Sequence, residues 1–227
     1  MATPLDLQEQ EQLDALKAFW KQYGNLITWL LILVLGAYAA WNGWNWYQRD
    51  QSTKASAMYD ELDRAVLAGD TERAARIFGD LRERYPRTAF AQQGGLLLAR
   101  VQYDKGQADA AKASLQWVAG NASEDEYRTL ARLRLAGLLT EAKQYDEAIK
   151  LLDEAKAPTF EALVNDRRGD VLMAQGKADA ARKAYEAAWA AMDPKLDYRR
   201  LVEAKLTAMG AAPAASAAAA AASGAAR

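Results

Sequence analysis

The chain has 227 residues with nearly balanced charge, 29 Lys and Arg against 30 Asp and Glu for a formal net charge of −1, and it contains neither histidine nor cysteine. Lacking imidazole and thiol, it has no general base of the commonest neutral-pH type, no thiol nucleophile and none of the usual zinc ligand sets. No basic stripe offers a track for nucleic acid, and the absence of cysteine suits oxidising and reducing compartments equally.

A short segment, residues 1–21, precedes an uncharged run from Gln22 to Gln48 whose apolar centre is Leu26 to Trp41. A helix rises about 1.5 Å per residue, so roughly 20 mainly apolar residues match a hydrocarbon core of about 30 Å. The run (22–48) therefore predicts a single transmembrane anchor. Trp20, Tyr23 and Trp29 on one side, and Tyr38, Trp41, Trp44, Trp46 and Tyr47 on the other, suit the headgroup boundary, with Lys21 and Arg49 beyond them. The competing readings are a buried helix of a soluble domain and a cleaved signal peptide. Ala37-Tyr38-Ala39 has the small-x-small spacing of a cleavage site, but the preceding Asp6, Glu9, Glu11 and Asp14 are unlike a positive leader. Gly36, Ala40 and Gly43, with Ala39, lie at helical spacing that would admit a neighbouring transmembrane helix. Lys17 and Lys21 balance Arg49 and Lys54 across the run, so charge leaves orientation open.

From Ser52 to Gly210 the chain reads as one helical domain with internal repeats. A turn residue is followed by alanine and then by a bulky residue: Gly69, Ala74, Phe78; Gly106, Ala111, Leu115; Lys143, Ala148, Leu152; Gly176, Ala181, Tyr185. The alanines fall at 74, 111, 148 and 181, intervals of 37, 37 and 33. This is tetratricopeptide spacing with small insertions, in which small residues sit where the two helices of a repeat cross. The competing reading is a plain helical bundle. Asp70, Asp109, Ser123, Asp146 and Asp179 are placed to cap or open helices, and Gly69, Gly106, Gly120 and Gly176 to close them. The expected architecture is all-α: one transmembrane helix, then a tetratricopeptide-like solenoid of about four helix pairs, with a capping helix near Lys195 to Met209. An Ala-rich tail, 211–227, has nothing to bury and is expected to be disordered.

The order of these features resembles the YfgM family, single-span ancillary subunits of the bacterial Sec translocon. The resemblance is carried by Ala18-Phe19-Trp20, the tryptophan-rich run, Leu133-Arg134-Leu135-Ala136, Asp166, Arg168-Gly169-Asp170 and Gly176. It implies a bacterial inner-membrane protein crossing once, with a cytoplasmic N-terminus and a periplasmic repeat domain. The implied partners are the SecYEG translocon, a membrane-anchored periplasmic prolyl-isomerase-like chaperone and translocating client proteins. A cytoplasm-facing adaptor that organises another membrane complex is the alternative.

No catalytic residue, metal site or cofactor is expected. Ser114 and Lys112 are two apart on a helix and point to different faces, and no phosphate-binding glycine loop is present. The tetratricopeptide register puts Arg100, Tyr103, Leu133, Thr140, Asp166, Asp170 and Met173 on a concave partner-binding surface. The competing, purely architectural reading has Arg134 pair with an Asp of the next repeat and fix how the helices stack.

Overall fold

The computed structural model describes residues 7–212, with side chains described from Glu11 onward, so the side chains of Asp6 and Glu9 and the tail beyond residue 212 lie outside the described residues. The chain divides into two compact units, one ending at Gln51 and the other beginning at Ser52, and the first helix, α1 (Leu7–Leu67), contributes to both.

In the first unit the predicted anchor is part of α1, which is helical beyond both ends of the uncharged run. Leu33, Trp41 and Trp46 are 68, 68 and 71% exposed, and their neighbours Leu30 to Leu35 are exposed on every face. A helix in a water-soluble core would bury such side chains. The exposed stretch is long and apolar enough to cross a membrane. Two of its polar side chains are occupied within the helix, Thr28 Oγ1 donating to Gly24 O at 2.8 Å and Asn42 Nδ2 to Tyr38 O at 3.1 Å, which lowers the cost of carrying them in lipid.

The second unit is a stack of antiparallel helix pairs. The end of α1 pairs with α2 (Thr71–Arg84), α3 (Ala89–Asp104) with α4 (Ala108–Asn121), α5 (Asp125–Glu141) with α6 (Tyr145–Asp153), and α7 (Glu161–Ala174) with α8 (Ala178–Ala191). A 3-10 turn, Pro158–Phe160, leads into α7, and α9 (Tyr198–Ala208) closes the array. No strand occurs among the described residues.

Local chemistry explains the helix ends. Asp70 accepts the Arg73 N–H at 2.9 Å and Thr88 accepts the Ala91 N–H at 3.3 Å, each satisfying a first-turn donor. Gly69, Gly106 and Gly176 end their helices at φ of 73, 75 and 81°, and Lys143 takes the same left-handed geometry at 59°. Two expected boundaries move. Gly120 closes nothing, because α4 continues to Asn121; Ser123 lies one residue before Glu124, which occupies the N-cap of α5. Asp109, Asp146 and Asp179 lie in first turns, where their charge faces the positive helix end without forming a side-chain cap.

The four repeat alanines, Ala74, Ala111, Ala148 and Ala181, are all fully buried. The core runs along the stack: Leu62, Ala65, Phe78 and Leu98 near its start, Leu115, Val118, Leu135, Leu139 and Leu152 in the middle, and Tyr185, Ala188, Val202 and Leu206 under α9. Burying a leucine such as Leu135 or Leu139 contributes about 1.5–3 kcal/mol. Ala211 packs on the last of these clusters and its N–H donates to Leu206 O at 3.0 Å. Polar ties run from one repeat to the next: Gln93 Nε2 donates to Tyr127 Oη across 34 positions, Arg134 Nη1 to Leu96 O across 38, and Lys205 Nζ to Asp166 Oδ1 across 39. Each spans about one repeat length.

Candidate functional site

The helices α3, α5 and α7, the first members of three successive pairs, present the residues expected on the concave surface. Arg100, Tyr103, Arg134, Gly137, Leu138, Glu141 and Arg167 line an open cleft of about 380 Å³. Tyr103 Oη donates to the Glu141 carboxylate at 2.9 and 3.0 Å, joining α3 to α5 across its mouth, and this bond holds the phenol above its ordinary pKa. Arg134 does not pair with an Asp of the next repeat. Its Nη1 reaches back instead to Leu96 O at 3.1 Å, a backbone carbonyl of the preceding repeat. Partial burial, and then the neighbouring charge of Arg100, push the Arg134 guanidinium below its usual range.

The other expected residues do not line this cleft. Thr140 donates to Ala136 O at 2.6 Å within α5, and Met173 is 47% exposed on α7. Leu133 is buried in the central cluster and offers no open surface. Asp166, 2% exposed, is occupied from within: Tyr198 Oη donates to Oδ2 at 2.7 Å and Lys205 Nζ to Oδ1 at 2.8 Å. Asp170 accepts from the same Lys205 Nζ at 2.6 Å and from Tyr185 Oη at 2.9 Å. Lys205 also lies 5.1 Å from the centre of the Tyr185 ring. These two carboxylates thus fasten α9 and α8 to α7, and both are filled by the chain's own donors. Burial, followed by the bonds to Asp170 and Asp166, raises the pKa values of Tyr185 and Tyr198.

Arg168 has a comparable architectural role, donating from Nη1 to Asp153 Oδ1 at 2.7 Å and so tying α7 to α6. Its neighbour Gly169 permits close packing, since a Cβ there would lie 2.4 Å from Tyr185 Cε1. Ser114 is buried and donates to Gln102 Oε1 at 2.8 Å, while Lys112 Nζ donates to Gln144 Oε1 at 3.2 Å. The hydroxyl and the amine therefore serve different neighbours and do not form a nucleophile and base. No group of side chains suited to a metal ion occurs among the described residues.

On the membrane-type helix, a Cβ added at Gly36 or Gly43 would meet nothing within 4 Å, and Ala40 lies between them on the exposed surface. Gly24 differs, because the Trp20 indole covers it at 3.2 Å. The sequence reading did not identify Arg167, Glu141, Tyr198 or Lys205. Arg167 carried a signal in its one-turn spacing from Asp170, whereas nothing local marks the meeting of Glu141 with Tyr103 or the reach of Lys205 across to α7.

The family model described as a tetratricopeptide repeat-like domain matches residues 17–211 of the chain. A protein of Neisseria gonorrhoeae named ancillary SecYEG translocon subunit is 31% identical over 212 residues, covering 89% of this chain and 98% of that protein. Its namesake in Escherichia coli is 33% identical over 181 residues, covering 79% and 86% respectively. The namesake in Haemophilus influenzae is 28% identical over 182 residues, covering 80% and 89%.

Proposed function

The chain belongs to the family of ancillary SecYEG translocon subunits built on a tetratricopeptide repeat-like domain, and on that premise we propose that it is a membrane-tethered interaction module of the Sec translocon, working without catalysis of its own. The observation that carries this reading is the pairing, in one chain, of an exposed apolar helix long enough to span a bilayer with a repeat array that keeps an open cleft. The anchor, residues 22–48, confines the array, residues 52–210, beside the channel. Confinement raises effective concentration, so individually weak contacts suffice for transient clients.

The array faces the periplasm in this reading, with residues 1–21 in the cytoplasm. There it helps a membrane-anchored prolyl-isomerase-like chaperone to receive proteins leaving the channel. Two surfaces divide the work. The face bearing Gly36, Ala40 and Gly43 is open to a neighbouring transmembrane helix, because small residues let backbones approach closely. The cleft around Arg100 and Tyr103 takes protein segments.

Topology is the decisive measurement. A reporter active only in the cytoplasm, fused after Met209, is expected to be silent, whereas a reporter active only in the periplasm is expected to signal. The reverse pattern would establish the cytoplasm-facing adaptor instead. In the same cells the tagged chain should co-purify with SecYEG, and recovery should fall at least several-fold in a Gly36→Leu/Gly43→Leu variant that still inserts. Unchanged recovery would transfer translocon recognition from the span to the array.

A further inference from the structure

Three guanidinium groups line the cleft, one from the first helix of each of three successive pairs: Arg100 on α3, Arg134 on α5 and Arg167 on α7. Their neutralisation is incomplete. Among the described residues Arg100 pairs only with Asp104 of its own helix, at 3.9 Å on the exposed surface, and Arg167 has Asp170 at 3.7 Å, a carboxylate already bonded by Lys205 and Tyr185. Arg134 forms no ion pair among the described residues, and its single protein partner is the neutral Leu96 carbonyl. A guanidinium carries five donors, so most of those on Arg134 remain available. The Glu141 carboxylate in the cleft is engaged by Tyr103.

We infer that this cleft recognises an extended peptide segment rich in acidic side chains, which place carboxylates against Arg100, Arg134 and Arg167. Packed helices stand about 8–10 Å apart, while an extended chain advances about 3.3 Å per residue. Carboxylates two to four residues apart on one segment therefore keep step with arginines carried on α3, α5 and α7, each of which packs against the next. This favours acidic side chains distributed along a chain over one terminal carboxylate. Planar, forked donors match carboxylates in two-bond geometry, and the Tyr103 ring and Leu138 supply apolar walls for the intervening peptide. The inference rests on the proposal that the cleft takes protein segments and specifies their chemistry.

The test uses the full-length protein in nanodiscs of uncharged lipid and a fluorescein-labelled twelve-residue peptide of alternating Ser and Glu, compared with its Ser and Gln counterpart. Anisotropy is expected to show binding of the Glu peptide at least tenfold tighter than of the Gln peptide, weakening steeply with salt. The exposed Arg100→Gln should loosen the Glu peptide by roughly three- to tenfold without shifting the melting temperature; Arg134→Gln should loosen it by as much while lowering the melting temperature, since the tie to Leu96 goes with it, and Arg134→Lys should retain part of the binding. Removing the resident carboxylate with Glu141→Gln should tighten it. Equal binding of the two peptides would overturn the inference without using any variant. So would indifference to Arg100→Gln, or displacement of the Glu peptide by nanodiscs containing phosphatidylglycerol, which would make the cleft a lipid site. Co-purification with SecYEG, measured on the same preparations, separates the outcomes: assembly without peptide selectivity refutes only the acidic-segment inference, and failure to assemble refutes the translocon reading.

Discussion

Asp166→Ala is expected to lower the stability of the repeat domain by about 2–4 kcal/mol, because the substitution leaves the partly buried Tyr198 hydroxyl without its acceptor and Lys205 with Asp170 alone. A urea titration of the helical signal should show the transition midpoint fall accordingly. Asp166→Asn keeps an acceptor for Tyr198 and is expected to cost less, about 1–3 kcal/mol. Combining Asp166→Ala with Lys205→Met removes both charges, so the double variant should be more stable than the sum of its parts implies. An unshifted midpoint for Asp166→Ala would mean that α9 is held by its other contacts, the Lys205–Asp170 pair and the apolar packing among them. The same network sets a response to alkali. Tyr185 and Tyr198 have folded pKa values raised above the unfolded value near 10, so above pH 10 the unfolded chain releases phenol protons that the folded chain retains. Their contribution is complete below pH 10 and is lost as pH rises beyond it. Tyr198→Phe should flatten that decline.

Gly169→Val should destabilise by a similar amount, roughly 3–5 kcal/mol, through overpacking rather than lost charge. Even the first added carbon would lie 2.4 Å from one ring atom of Tyr185 and 2.5 Å from the next. The ring cannot swing aside cheaply, since its hydroxyl is bonded to Asp170 and the residue is buried among Ala181, Ala188 and Val202. Gly169→Ala would recover about 1 kcal/mol in helix propensity and so show a smaller loss. Pairing Gly169→Ala with Tyr185→Leu should restore part of that loss, and full additivity of the two effects would argue that they do not meet. At Gly120, with open space around the added carbon, the same change to Ala should be neutral or mildly stabilising.

The architecture was legible because its physical signal is periodic. Small residues must recur where helices cross, and Ala74, Ala111, Ala148 and Ala181 all proved to be fully buried. The apolar span was equally open to reading, since length and composition alone set its match to a bilayer. Side-chain destinations were harder to read. Arg134 lies one repeat from a carbonyl behind it and from carboxylates ahead, and the sequence has no term that selects between them; the folded chain uses the carbonyl of Leu96. Asp166 and Asp170 were assigned to the concave surface by their register, yet both are filled by donors from α8 and α9. Their partners lie 15 to 39 positions away, beyond the reach of any local pattern. Gly120 was misplaced for a simpler reason: glycine favours a helix end but does not compel one, and α4 is already committed through its contacts with α3 and α5.

The ties of about one repeat length also bear on the order in which the chain can assemble. Arg134 meets Leu96 and Tyr103 meets Glu141 across 38 positions each, and Lys205 meets Asp166 across 39. A newly made chain appears from its N-terminal end, and each helix pair can dock once roughly the next forty residues have followed it. No early segment must wait, exposed, for a strand or helix from the far end. Such serial assembly shortens the time during which the apolar faces of the repeats stand exposed before their neighbours cover them.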